Sequence, residues 1–282
     1  MNARPFLLIS IGLAAALAGC ASTRAAHEHD VARVRMAVAQ KLADEGEWAG
    51  ALEAAQAACQ AAPEDPEALT LRGIALRERG LLDEAQTDLL EALRRRPDSA
   101  RAHSALALVH ERQHRPAEAE LHHRRAVEIE PQNARYLNNL GYALLAHGDA
   151  RGALPFLVRA VREAPTNARA RNNLGFAYGR TGDFSRAAQQ FALGGSVAEA
   201  QSNLGVAYEL DGNRAQAAAH YREALRLDPS LRRAQENLDR LAARGSPATP
   251  AAAAAAPSPS VVLGAASTSA TPAPRSSLGG TP

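Results

Sequence analysis

The sequence is short of most things that build enzyme cores. It has two cysteines, Cys20 and Cys59, which could pair once at most and cannot build a disulfide framework. Tryptophan, tyrosine and phenylalanine together make up only 4% of it, which excludes a core of large aromatic side chains. Lys41 is its only lysine, so every other basic residue that carries a fixed charge is arginine. Bases and acids nearly cancel, 32 against 30, so bulk charge does not favour nucleic acid as a partner. No stretch resembles a phosphate-binding loop, a nucleophile elbow or a dinucleotide fingerprint. What is abundant is alanine, which suits closely packed helices.

The N-terminal twenty residues read as an address. A short positive stretch, Met1 to Arg4, precedes an apolar run from Phe6 to Ala18 that is too short to span a bilayer comfortably. Leu17-Ala18-Gly19-Cys20 follows at once. It resembles the lipobox of bacterial lipoproteins, in which the cysteine thiol is lipidated and the chain is cut just before it. An ordinary signal peptide cut near Ala18 or Ala21 is the alternative. The resemblance implies residues 1–19 as signal peptide, Cys20 as lipid attachment site and 20–30 as a tether. Two or more acyl chains anchor a protein stably. Ala21 stands where inner-membrane retention signals place Asp, which implies the outer membrane, periplasmic face.

The body of the chain repeats. Pro63, Pro97, Pro131 and Pro165 stand 34 residues apart, and Pro229 follows after one full period and one of 30. Five residues before each stands an alanine: Ala58, Ala92, Ala126, Ala160 and Ala224. Twelve before each stands another: Ala51, Ala85, Ala119, Ala153 and Ala217. Glycine recurs near the middle of the unit at Gly46, Gly80, Gly148, Gly182 and Gly212. Small residues let two antiparallel helices approach closely. The glycine suits a left-handed residue ending the first helix, and the proline ends the second. Apolar residues run between them at helical spacing, such as Leu137, Leu140, Gly141 and Leu144.

This is the pattern of the tetratricopeptide repeat, and residues 32 to about 244 resemble that family. The resemblance implies an all-α, right-handed superhelical solenoid of helix-turn-helix units. The units are 32–65, 66–99, 100–133, 134–167, a short 168–197 and 198–231. A helix near 231–243, with Leu231, Ala234, Leu238 and Leu241 on its apolar stripe, is expected to close the array. The six units and this closing helix are expected to occupy 31–244. In the short unit the second helix is expected to end early, and the superhelix to bend there or change register. Pro155, inside the second helix of unit four, is expected to give a mild kink. Residues 245–282 are dominated by Ala, Pro, Ser, Thr and Gly, with Arg275 their one charge. They are expected to form an extended, flexible tail with a reach of about 35 Å by random-coil scaling.

One motif points elsewhere. His110-Glu111-Arg112-Gln113-His114 reads H-E-x-x-H, in which two histidines on one helical turn bind zinc and the glutamate acts as general base. The repeat frame opposes it. His114 falls at the helix-ending glycine position, so the helix is expected to stop at it. No metal, cofactor, small-molecule substrate or catalytic residue is therefore expected. His103, His122 and His123 nearby, and His27 and His29 in the tether, read as packed or solvated histidines. Cys59 reads as a small buried apolar residue.

By the family's rule, repeat positions 2, 5, 6 and 9 face a concave groove. Here they are Arg135, Asn138, Asn139 and Tyr142, then Arg169, Asn172, Asn173 and Phe176, with Asn203 in the sixth unit. Asparagine amides pair with both donors and acceptors of a peptide backbone, and arginine clamps carboxylates. The alternative is that these asparagines support neighbouring helices. Asn139 and Arg169 match two positions of the carboxylate clamp of chaperone-binding repeats, while the other clamp positions differ. Lipobox, repeats, the successive Asn-Asn-Leu-Gly units and the shortened unit together resemble the TadD-type lipoproteins of the tight-adherence (Tad/Flp) pilus. That implies protein partners among pilus or secretin components, and a membrane contact through lipid. A pilotin-like protein of type IV pili, an envelope adaptor for hydrolases or proteases, and a zinc hydrolase remain the alternatives.

Overall fold

A computed structural model describes residues 30–243. The signal-peptide and Cys20 readings and the tail reading lie outside the described residues. Those described hold thirteen helices and no strand. They fall into two compact units, dividing between Gln113 and His114. The all-α helix-turn-helix architecture expected from the repeats is the fold that is found.

The first unit contains α1 (residues 30–44), α2 (Trp48–Ala61), α3 (Pro66–Glu78), α4 (Leu82–Arg95) and α5 (Ala100–Arg112). The second contains α6 (Pro116–Ile129), α7 (Ala134–Ala146), α8 (Ala150–Glu163), α9 (Ala168–Arg180), α10 (Phe184–Gly194), α11 (Val197–Leu210), α12 (Arg214–Leu227) and α13 (Arg232–Ala243). Within each unit successive helices pack as neighbours, and alternate ones also touch: α3 meets α5, α7 meets α9, and α9 meets α11.

Local chemistry sets the helix ends. The residue before α3, α5, α7, α9 and α11 carries an oxygen that accepts a free backbone N–H of the first turn. Asp65 accepts from Glu67 and Ala68 at 2.7 and 3.1 Å. Ser99 accepts from Ala102, Asn133 from Arg135, and Asn167 from Ala170. Ser196 and Glu199 cap α11 reciprocally. The five repeating glycines all take positive φ, from 81° to 88°. The sixth such position is His114, at φ 58°, the one non-glycine residue among those described with positive φ. A Cβ there costs energy that glycine avoids.

Packing rests on a knob against a glycine. The eighth residue of a unit is Gly73, Gly141, Gly175 or Gly205. A Cβ added to Gly141 would lie 2.5 Å from Leu157, one on Gly175 2.5 Å from Phe191, and one on Gly205 2.6 Å from Tyr221. Leu89, Leu157, Phe191 and Tyr221 are thereby fully buried. Each such burial stabilises by about 1.5–3 kcal/mol. Phe191 also meets Phe176 edge to face, with centroids 4.8 Å apart. The repeating alanines, among them Ala85, Ala92, Ala153 and Ala160, are buried at the same helix crossings. In the short repeat α10 has 11 residues where α8 and α12 have 14. Pro155 lies inside α8, which runs continuously past it.

Candidate functional site

The residues expected to face a groove lie on α7, α9 and α11, three first helices of the second unit. Asn138, Asn139, Asn173, Asn203 and Phe176 are buried, with Asn172 at the edge of burial. Asn173 Nδ2 donates to Asn138 Oδ1 at 2.9 Å, and Asn203 Nδ2 to Asn172 Oδ1 at 3.4 Å. The amides thus bridge one first helix to the next. Buried amides need such partners, because an unmatched one costs about 1–3 kcal/mol. Arg135 and Tyr142 are half-buried and Arg169 is exposed, so these three carry the accessible surface at the expected positions. The Arg135 guanidinium lies over the Tyr136 ring, 5.2 Å from its centroid.

The series extends one helix further than sequence reasoning took it. Asn237 of α13 is fully buried, and Arg240 Nη2 donates to its Oδ1 at 3.0 Å. Asn237 stands 34 residues after Asn203, and each is followed by leucine, as are Asn139 and Asn173. That signal marks α13 as the first helix of a seventh unit. Of its expected apolar stripe, Ala234 and Leu241 are buried and Leu231 and Leu238 half-buried. Arg240 also pairs with Glu209 of α11, Nη2 to Oε2 at 2.9 Å, and Tyr221 OH donates to the same carboxylate at 2.8 Å. Burial and this carboxylate push the Tyr221 hydroxyl pKa far up. No sequence spacing announced that network.

The histidine motif does not form a site. Helix α5 ends at Arg112, so His114 stands beyond it in the left-handed conformation. His110 is buried and His114 exposed. The shared helical turn that the zinc motif requires is missing. Among the described residues no three His, Cys, Asp or Glu side chains converge to hold a metal. Cys59 is a buried free thiol, its pKa raised by burial.

On the first unit a cleft of about 350 Å³ is lined by Gln56, Arg72, Leu76, Glu84, Thr87 and Asp88. Its ionic groups include a two-pronged pair, Arg72 to Asp88 at 2.6 Å twice. Each charge satisfies the other there, which is structural chemistry. Among the described residues no helix is long and apolar enough to cross a membrane.

Comparison with known proteins agrees with this geometry. The tetratricopeptide repeat family matches residues 70–134, 144–204 and 198–231. The type IV pilus assembly protein PilF of Pseudomonas aeruginosa is 39% identical over 69 residues, which are 24% of this chain. That stretch spans 27% of PilF's own length. Among solved structures, YrrB, described as a TPR protein with an unusual peptide-binding site, superposes with a TM-score of 0.54 at 25% identity. It covers 66% of this chain and 97% of its own. Pseudomonas aeruginosa pilF gives 0.61 at 18% identity, over 74% of this chain and 97% of its own. PilW, a type IV pilus biogenesis factor, gives 0.60 at 20%, over 71% and 94%. These last two likenesses show the fold. Helix pairs, capping pattern, glycine positions and three family matches agree, and the chain is a tetratricopeptide-repeat protein.

Proposed function

We propose that this chain is a lipid-anchored scaffold of the outer membrane that holds protein partners during pilus or secretion-system assembly. The observation that carries the binding role is the ladder of first helices in the second unit. Buried asparagine pairs hold α7 to α9 and α9 to α11, and Arg135, Tyr142 and Arg169 offer surface upon them. A face of fixed spacing with arginine and tyrosine contacts suits a peptide segment that bears carboxylates. Repeats of this kind work by binding, and the histidine motif lacks the geometry for hydrolysis. The likeness to PilF and PilW supports the pilus setting, and the Tad/Flp system is our choice within it. A pilotin-like role in type IV pili is the second reading, favoured by the 69 residues that are 39% identical to PilF.

The test is affinity capture from envelope extracts with the full chain and with Tyr142→Ala/Arg169→Glu. Both positions are accessible, so the fold is expected to survive, as circular dichroism would show. Loss of pilus or secretin components in the variant alone supports the reading. Equal recovery by both proteins removes the assignment of this face. Labelling with a radioactive fatty acid, lost in Cys20→Ser, tests the anchor.

A further inference from the structure

The first helix of the array leaves an apolar face open. Val34 and Val38 of α1 are 61% and 47% exposed. They are the third and seventh residues of the first repeat. In later repeats the third residue is Ala68, Ala102, Tyr136, Ala170, Ala200 or Ala234, and all are buried. The seventh is Leu106, Leu140, Leu174 or Leu204, all buried, or Arg72 or Leu238, both half-buried. Later repeats cover these positions wholly or in part, but in α1 the side chains are both apolar and bare. Helix α13, at the other end of the sequence, instead exposes Arg232, Gln235, Glu236 and Asp239. A terminal repeat needs a polar outer face, and on α1 two bare valines interrupt one made by Asp30, Arg33, Arg35, Lys41 and Asp44.

Three basic side chains border the valines. Arg33, Arg35 and Lys41 are exposed. Arg33 bonds Asp30 at 2.9 Å, and Lys41 lies 4.0 Å from Glu45. Such stems can lie along apolar ground, and at a bilayer their heads would meet phosphate oxygens in competition with these carboxylates. The chain supplies the occupant's position. Cys20 lies ten residues before Asp30, a span of at most about 35 Å when fully extended.

We propose that the Val34/Val38 face of α1 rests on the phospholipid surface to which Cys20 anchors the chain. The inference rests on the reading of Cys20 as a lipid attachment site. Two valines give weak affinity for a bilayer in free solution. Beside an anchor the contact becomes intramolecular, at an effective concentration in the millimolar range, and weak affinity suffices. A second copy of the chain fits less well. One face of a single short helix falls well below the roughly 800 Å² per partner that a stable interface buries.

The test uses the full mature, acylated chain in vesicles of phosphatidylethanolamine and phosphatidylglycerol. An environment-sensitive fluorophore is placed at Val34→Cys or, as control, at Asp239→Cys. Cys59 is buried and Cys20 acylated, so each variant offers one reactive thiol. The probe at position 34 is expected to shift to the blue and to be quenched by brominated acyl chains, while that at 239 does neither. In the position-34 protein, adding Val38→Asp is expected to abolish the response without changing the circular dichroism spectrum. Equal responses at 34 and 239 overturn the proposal. So does a response at 34 that rises with protein density and brings cross-links between copies. Vesicle flotation and the intact mass separate the two readings. A floating, acylated chain without quenching sinks this inference alone, whereas a chain without acyl groups sinks the anchor as well.

Discussion

Asn173 donates a hydrogen bond to Asn138 across two neighbouring first helices, and both side chains are buried. The pair sets the spacing of α7 and α9 from inside the stack. Asn173→Ala would leave the Asn138 carbonyl oxygen without its donor. The expected loss is about 1–3 kcal/mol, the cost of an unmatched buried group. Urea denaturation followed by circular dichroism measures it. A change within error would mean that water replaces the amide freely and that the ladder is incidental.

A second pair fastens the last helix. The Arg240 and Glu209 side chains are 10% and 7% exposed. Arg240→Met would take the guanidinium away from the buried Glu209 carboxylate. Breaking such a pair on one side costs about 3–5 kcal/mol. Amide exchange should report α13 opening before α7 and α8. Simultaneous opening of all three would show that α13 is held by its apolar contacts alone.

His114 carries a Cβ in a conformation that five glycines fill elsewhere. His114→Gly is therefore expected to stabilise the chain, by up to about 1 kcal/mol. Gly148→Ala should act in the opposite direction by a similar amount. A lower denaturation midpoint for His114→Gly would show that the imidazole makes a contact worth more than the backbone strain.

His220 gives the fold a pH dependence. Its ring lies parallel to Tyr208, with centroids 5.2 Å apart, and Tyr208 stacks on Phe184 at 4.0 Å. Its Nδ1 meets the Gln201 side-chain oxygen at 2.7 Å. Burial holds its pKa below the ordinary value, opposed by the Glu223 charge. The folded state thus favours neutral imidazole. Stability is fully present above about pH 6.5, the unfolded value, and falls as pH drops through it towards the lower folded value. Comparing urea midpoints at pH 7.5 and 5.5 for the chain and for His220→Gln isolates this contribution. An identical pH response in both proteins would remove His220 as its source.

Some of this molecule is written along the chain and some is not. The period of alanine, glycine and proline determined that helices pair, where they turn and which residues take positive φ. It did so because backbone conformation and close helix contact are local demands that one residue type meets. The break at His114 was legible for the same reason, and it separates a zinc-like string of letters from a zinc site. The short α10 was readable from the missing residues of its repeat. The asparagines show the limit. Their positions were plain, but whether an amide meets a ligand or the next helix depends on side chains 31 or 35 residues away. The Glu209–Arg240–Tyr221 network and the Phe184–Tyr208–His220 stack likewise gather residues with no common spacing. Nothing in the sequence sets the valines of α1 apart from the apolar residues of the core. Only the tertiary structure shows that these two stay exposed, because burial belongs to the stack and not to the residue.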